Sequence, residues 1–277
     1  MKRATIKPAM TKLLRLNIVP KSAPILFTAL FGVVSNPSLA TPSFSDQNRS
    51  TQSTLSQNVT ADVENQSRCE KQLDYQLYIN RFDIGRVKKV ETVQGNELSI
   101  TSNSRSNVLG IKTQFDQTTQ LRFNPKNRVW TTQSYHQIVS GFRNRDMNVN
   151  YLNIMGTQTS VNLDGEIDSY QSPEPIFDID GLSLEIVRRV IAGEKEFKLS
   201  RQATTHLEPY EYQVLGAFTE KTENWGEIKV IKVEQSGSDD ITYWIAPDLE
   251  NEIVRVIYHR ILFSGEARLR SIFEECH

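Results

Sequence analysis

The sequence predicts a mainly all-β protein, a curved antiparallel sheet or barrel with one amphipathic helix that covers an end or groove. Three observations support this prediction. Short segments alternate apolar and polar residues, turn-forming residues separate them, and one segment has helical spacing instead. A period of two is typical of antiparallel strands with one face on a core and the other in solvent.

Eleven segments show the alternation. They are 73–79, 97–101, 119–123, 148–152, 159–163, 196–199, 210–214, 227–233, 241–245, 253–258 and 267–272. Turn signals such as Gln94-Gly95-Asn96 and Leu163-Asp164-Gly165 lie between them. Ten or more short strands at this spacing favour either a barrel or a strongly curved open sheet.

The segment 181–192 breaks the pattern and is predicted to be the helix. Its apolar residues recur every four positions, as Leu182, Ile186 and Val190 do. Asp180 is a suitable N-cap and Gly193 a suitable C-cap. A single helix between two groups of strands is expected to cover an opening of the sheet.

The first forty residues predict export. A basic leader without acids, an apolar run over 23–34 and small residues at Ser38 and Ala40 follow in the order of a signal peptide. We therefore expect cleavage after Ala40 and a periplasmic protein. The apolar run is short for a bilayer, which needs about 20 residues. Retention of the leader as an anchor is the alternative.

Residues 41–68 are predicted to be a disordered linker, and 69–277 a single β domain. Seventeen of the 28 linker residues are Ser, Thr, Asn or Gln, too polar to form a core. The leader holds six of the 32 cations and none of the 33 acids, so the remainder has a net charge near −7. An acidic chain without a basic cluster is a poor candidate for binding nucleic acid. The sequence also predicts no cofactor and no transmembrane span after cleavage.

Two cysteines, Cys69 and Cys276, lie at opposite ends of the predicted domain. In an oxidising compartment we expect them to form one disulfide bond, which requires the first and last strands to meet. Two free thiols are the alternative. The loop that the bond closes is long enough for a stabilisation of about 5 kcal/mol as an upper estimate.

Three segments resemble one family of bacterial exported proteins, the domain-of-unknown-function family 3108. They are Asp83-Ile84-Gly85-Arg86-Val87, Phe177-Asp178-Ile179-Asp180-Gly181-Leu182-Ser183, and Tyr243-Trp244-Ile245-Ala246-Pro247-Asp248-Leu249 with Ile253-Val254-Arg255-Val256 after it. The resemblance spans residues 73–275. It implies a β-rich envelope protein and supplies no activity or catalytic residues.

The sequence shows no catalytic motif, so we assign no catalytic residue and favour a protein that is not an enzyme. Asp178 and Asp180 are candidate ligands for a hard cation, with a helix-capping role for Asp180 as the alternative. Candidate residues for an apolar or amphiphilic ligand are Trp130, Trp225, Trp244, Tyr243, Arg188 and Arg189. The aromatic residues could instead form the core, and the arginines a solvated helix face.

Three functional hypotheses follow. The first is a periplasmic binding or carrier protein that holds a lipid-like or other amphiphilic molecule in a β-cavity. The second is a structural or interaction protein of the envelope, which contacts another envelope protein through a sheet edge or face. The third, a hydrolase-type enzyme, would need Asp178, Asp180, His206 and an arginine in one cleft.

Overall fold

The computed structural model describes residues 68–126, 128–141, 143–260 and 264–277. The predicted signal peptide (1–40) lies outside the described residues, as does the predicted linker apart from its last residue, Arg68.

Fifteen strands and one α-helix make up the described chain. The first nine strands are β1 (Arg68–Ile79), β2 (Phe82–Gln94), β3 (Glu97–Val108), β4 (Ile111–Asn124), β5 (Val129–Ser140), β6 (Arg145–Tyr151), β7 (Gln158–Leu163), β8 (Glu166–Gln171) and β9 (Ile176–Phe177). After helix α1 (Ile179–Ile191) come β10 (Glu196–Gln202), β11 (Leu207–Thr222), β12 (Gly226–Gly237), β13 (Asp240–Ala246), the short 3-10 helix Pro247–Leu249, β14 (Glu252–His259) and β15 (Ser264–Cys276).

The strands form one curved sheet, which confirms the predicted fold class. Their order is β8-β7-β6-β5-β4-β3-β2-β1-β15-β14-β13-β12-β11-β10-β9, and every neighbouring pair except β9–β10 is antiparallel. The sheet is not closed, because its edge strands β8 and β9 do not pair. We call the gap between them the seam. The first and last strands pair in the middle of the sheet, so the opening falls in the middle of the chain instead of at its ends.

The two cysteines are joined across this central pair of strands. Cys69 on β1 lies directly opposite Cys276 on β15, with a Cα–Cα distance of 4.0 Å, and the two form a disulfide bond. The disulfide bond requires β1 and β15 to meet. They meet although the sheet is open, because the opening lies between β8 and β9 and not between the first and last strands.

In several strands buried and exposed residues alternate as predicted. Other strands are interrupted by bulges or are buried on both faces. Inward residues of β3 such as Leu98 and Ile100 are buried, whereas their neighbours are more exposed. Bulges interrupt the pairing at five places, among them β4–β5 and β13–β14, and such bulges bend and twist a sheet. Strand β13 is buried on both faces from Ile241 onward. The long β11–β12 hairpin reaches past it, since Asn224 Nδ2 donates a hydrogen bond to the backbone oxygen of Arg270 on β15.

Helix α1 lies inside the curve of the sheet. Leu182, Ile186 and Val190 share a core cluster with strands β10 to β14, whereas Leu184 packs against a cluster from β3 and β4. The helix therefore packs against both halves of the sheet, strands β3 and β4 on one side and strands β10 to β14 on the other. No helix among the described residues is long and apolar enough to cross a membrane.

The helix bounds differ slightly from the prediction of 181–192. The N-cap is Asp178 and not Asp180, so the helix begins two residues earlier than expected. Its last residue is Ile191, and Gly193 follows the cap residue Ala192 with φ of 83°, a left-handed conformation that glycine adopts without strain.

Candidate functional site

The buried start of helix α1 brings two carboxylates together. Asp178, the N-cap, accepts hydrogen bonds from the backbone nitrogens of Asp180 and Gly181 at 2.9 and 3.2 Å. Its other contacts come from hydroxyl groups on the sheet, Thr119 Oγ1 at 3.0 Å and Thr132 Oγ1 at 2.5 Å. A Cβ atom at position 181 would lie 2.7 Å from Thr132 Oγ1, so only glycine allows the helix this close to β5.

Asp180 points into the same cluster. Its Oδ2 accepts hydrogen bonds from Gln117 Nε2 at 3.1 Å and Thr119 Oγ1 at 2.9 Å, and its Oδ1 lies 3.7 Å from Lys89 Nζ. Burial is the main cause that raises the pKa of Asp180 to about 6, and the charge of Asp178 raises it further against the opposing effect of Lys89. Burial also raises the pKa of Asp178.

Lys89 begins a chain of alternating charges along the inner face of the sheet. It lies 2.8 Å from Glu91, and Lys71 lies 2.6 Å from Glu252. Burial disfavours the charge of Lys89, but Glu91 and Asp180 outweigh it and raise the pKa of the lysine. Each of these cations therefore has a carboxylate partner.

A row of hydrogen bonds leads from Asp180 to the other end of β5. Gln117 Oε1 accepts from Tyr135 Oη and Gln137 Nε2, both at 3.4 Å, and Gln137 Nε2 also donates to Tyr135 Oη at 2.7 Å. Gln137 Oε1 accepts in turn from Arg145 Nη2. The row connects a carboxylate inside the sheet with an arginine close to the seam.

Arg145 has an unusual environment. Its Nε atom is buried, and no hydrogen-bond partner for it lies within the described residues. Burial lowers the pKa of its guanidinium group, and the like charge of Arg201 adds to this against the opposing effects of Tyr135 and Asp164. Together with Arg201 it lines an interior cavity of about 20 Å³, a volume that suits about one water molecule.

Arg201 differs from Arg145 because it has carboxylate partners. Its guanidinium group lies 2.5 Å from Glu208 and 4.0 Å from Asp239. Tyr210 Oη donates to the same Glu208 oxygen at 2.6 Å, and Arg260 lies 2.6 Å from Asp239. This network is fully buried at Glu208 and is balanced in charge.

The structure places the predicted aromatic ligand residues in or against the packed core. Tyr243 is buried beside helix α1 and donates a hydrogen bond to Gln235 Oε1 at 2.8 Å. Trp244 belongs to a separate cluster against which Trp225 packs. Trp130 contacts Phe123, with 5.2 Å between ring centroids. These four predicted residues do not come together around one cavity.

The two predicted helix arginines are paired with one buried acid. Arg188 Nε and Arg189 Nε lie 2.7 and 2.8 Å from the carboxylate oxygens of Glu185, and Arg189 also contacts Glu194 at 3.1 Å. Their charges are thus compensated on the helix itself, and an anionic ligand head would have to compete with Glu185.

The metal prediction at Asp178 and Asp180 is not favoured by the geometry. Three of the four carboxylate oxygens accept hydrogen bonds, and the remaining one faces Lys89. Among the described residues, no group of three or more His, Cys, Asp or Glu side chains could hold a metal ion. His206, which the enzyme hypothesis required beside these aspartates, instead lies 3.3 Å from Glu208.

A wider groove of about 710 Å³ crosses the sheet from β10 to β14. Most of the side chains that line it are polar or charged, among them Glu196, Lys198, Glu211, Glu234 and His259. Such a lining suits water and polar groups better than an aliphatic chain.

Sequence reasoning did not single out Lys89, Arg145, Arg201 or Glu208. Lys89 lies on β2, a strand whose inward residues are partly charged and which therefore lacks the apolar alternation. The spacing of Arg201 and Glu208 across the turn between β10 and β11 offered a weak signal, because Arg201 lies directly opposite Glu208 in the hairpin register.

Comparison with known proteins places this fold among β-barrel-like domains. A crystal structure titled as a β-barrel-like protein of domain of unknown function DUF1849 from Brucella abortus matches with a TM-score of 0.53 at 10% identity, over 74% of this chain and 98% of that one. No curated protein matches the chain. The sequence model described as "Protein of unknown function (DUF3108)" matches residues 74–269. Because the match covers more than half of the chain and includes the three segments noted in the sequence, this chain belongs to that family.

Proposed function

We propose that this chain is a non-catalytic interaction protein of the cell envelope, exported to the periplasm, which binds a partner protein along the edge strand β8. The signal-peptide pattern supports export, and the Cys69–Cys276 bond suits an oxidising compartment. The observation that carries the proposal is that an unpaired sheet edge and exposed apolar side chains occur together next to the seam.

The pocket beside Arg145 is too small for the lipid-like ligand that we expected. Helix α1 packs against core clusters in both halves of the sheet, and the cavity beside Arg145 has a volume of about 20 Å³, enough for about one water molecule. The predicted aromatic residues pack in separate clusters. We therefore assign the main binding surface to the outside of the protein.

Strand β8 is the longer and more exposed of the two edge strands. In the described chain it pairs only with β7, so its second row of backbone donors and acceptors is open to a partner. Ile167 on this strand is 69% exposed, and the adjoining β6–β7 loop exposes Leu152, Ile154 and Met155. An extended segment that adds to such an edge gains backbone hydrogen bonds and apolar contacts.

The charge of the edge favours one kind of partner. Glu166 and Asp168 on β8 are exposed and have no ion pair in the part of the chain that the structure describes. Charged residues on an edge strand oppose pairing with a second copy of the same edge. A partner strand that carries Lys or Arg would be attracted instead.

Capture from envelope extracts tests this assignment. We expect the protein to retain a partner, and the double variant Ile167→Asp/Ile154→Ser to bind it at least ten-fold more weakly, because it adds a charge and removes apolar contacts. Phe218→Ser on β11 is the matched control, since Phe218 is an exposed aromatic residue away from the seam. Equal loss in the control, or full retention by the double variant, would contradict the proposal.

A second candidate function rests on Arg145. Its buried, unpartnered Nε would suit the acidic head of an amphiphilic molecule that enters at the seam beside the interior cavity. Native mass spectrometry of the gently purified protein should then show a co-purified acid, and Arg145→Gln should release it. If neither the wild type nor the Arg145→Gln variant shows a mass beyond that of the polypeptide, this candidate is excluded.

A further inference from the structure

Three neighbouring hairpins expose apolar and basic side chains together at one end of the sheet. They connect β1 to β2, β3 to β4 and β5 to β6. We call this the hairpin-tip surface and define it by Phe82, Leu109, Ile111, Arg81, Arg86, Arg105, Lys112 and Arg143. Leu109 is 99% exposed and Phe82 76% exposed, more than any other large apolar residues near them.

Strand register brings these tips side by side. Gly85 on β2 pairs with Ser106 on β3, and continuing the same register places Phe82 opposite Leu109. Gln114 on β4 pairs with Ser140 on β5, which sets the β5–β6 turn beside the start of β4. The apolar tips and the surrounding cations therefore form one continuous surface.

Leu109 contributes nothing evident to the stability of its own turn. Its φ of 52° is left-handed, a conformation that favours Asn, Asp or Gly at this position of a two-residue hairpin turn. Its side chain is almost fully in water. A strained residue with an exposed apolar side chain points to a role outside the folded chain.

The cations of the surface are uncompensated. Arg86 lies directly opposite Arg105, a like-charge cross-strand pair that is unfavourable by itself. Within the described residues none of the five cations of the surface forms an ion pair. Two acids lie on these tips, Asp83 at the start of β2 and Asp146 at the start of β6, and Asp146 faces His136 at 2.8 Å. The β7–β8 turn at the same end carries Asp164 and Glu166, so the positive charge is confined to one side.

We propose that the hairpin-tip surface docks on an anionic lipid bilayer. Phe82, Leu109 and Ile111 would enter the boundary between headgroups and acyl chains, while the surrounding arginines and Lys112 contact lipid phosphates. This arrangement explains both the exposed apolar tips and the unpaired cations. It extends the proposed envelope function and does not depend on the partner at β8, because the two surfaces lie on different hairpins.

Vesicle flotation tests the docking. The protein without its predicted signal peptide is mixed with vesicles of 30% phosphatidylglycerol in phosphatidylcholine. In parallel it is mixed with vesicles of phosphatidylcholine alone. We expect binding to the anionic vesicles only. Arg86→Gln/Arg105→Gln should lower the partition coefficient about 25-fold, roughly five-fold for each charge near the surface.

A matched variant controls for charge alone. Lys126→Gln/Arg128→Gln removes two exposed cations from the β4–β5 turn at the opposite end of the sheet and should leave binding unchanged. Leu109→Asn should weaken binding while the unfolding temperature stays the same or rises. Equal binding to both vesicle types, or equal loss in both double variants, overturns the docking. The Ile167→Asp/Ile154→Ser variant should still bind vesicles, which separates this test from that of the β8 partner.

Discussion

Two groups of arginines in this molecule have opposite electrostatic surroundings. Arg201 lies on the inner face of the sheet near the seam. Its side chain is 4% exposed and forms an ion pair with Glu208 at 2.5 Å. Arg86 and Arg105, on the outer face, point into solvent and face each other across a pair of strands. The inner arginine is held by a network, whereas the outer pair has no partner among the described residues.

The difference indicates which charges serve the fold. A buried charge without a partner costs several kcal/mol, so each charge of the inner network needs its partner in the folded protein. The outer pair costs little in water, because exposed charges are screened. The chain can therefore keep the outer pair unpaired for use with a partner outside the protein.

The largest expected effect comes from breaking the inner network. Glu208→Gln leaves Arg201 with only Asp239, 4.0 Å away, and we expect a loss of about 3 kcal/mol in the free energy of unfolding. Chemical denaturation followed by tryptophan fluorescence measures it. Glu211→Gln on the same strand is the control, because Glu211 pairs with the exposed Lys198. We expect its unfolding midpoint to match that of the wild type.

An effect of equal size in both glutamine variants would show that burial does not distinguish the two pairs. The comparison between inner and outer charges would then lose its energetic basis.

An effect of comparable size is expected from the pH dependence of Asp180. Its pKa of about 6 in the folded protein lies above the value of about 3.9 in an unfolded chain. The folded state therefore holds an additional proton between about pH 4 and 6, and the contribution of Asp180 to stability falls as the pH rises through this window. The loss amounts to about 3 kcal/mol, because each of the two pKa units corresponds to about 1.4 kcal/mol.

Asp180→Asn should remove that dependence. Its amide stays uncharged at every pH and can still accept from Thr119 and Gln117. Relative to the wild type, we expect the variant to gain stability between pH 4 and 7, measured by urea denaturation at each pH. A difference that is constant with pH would mean that Asp180 titrates normally.

The fold was predictable to the extent that the inward residues are apolar. Strands β3 and β4 alternate because Leu98, Ile100 and Leu121 face a core. Strands β2, β5 and β8 and the two-residue β9 were missed because their patterns differ. Lys89 and Gln137 face inward on β2 and β5, and β8 is an edge strand exposed on both faces.

The same physics explains why the candidate site was not predicted. Polar residues inside a sheet look like solvent-facing residues in the sequence, and only the register shows that Gln117, Thr119 and Lys89 converge on Asp180. Asp178 and Asp180 were recognised because they adjoin a helix start. The basic cluster of the hairpin-tip surface was hidden, since its cations are spread over residues 81–143.

The smallest effect on stability, and the sharpest test of the outer surface, is expected at Leu109. Asparagine tolerates the left-handed conformation at this turn position better than leucine, and the change removes an apolar side chain from water. Leu109→Asn should therefore raise the free energy of unfolding by about 0.5 kcal/mol or leave it unchanged, as measured by denaturation. If the variant is instead destabilised by more than about 1 kcal/mol, Leu109 has a structural role, and its exposure no longer argues for a partner. A gain in stability together with a loss of vesicle binding would show that the leucine is kept for binding at the expense of the fold.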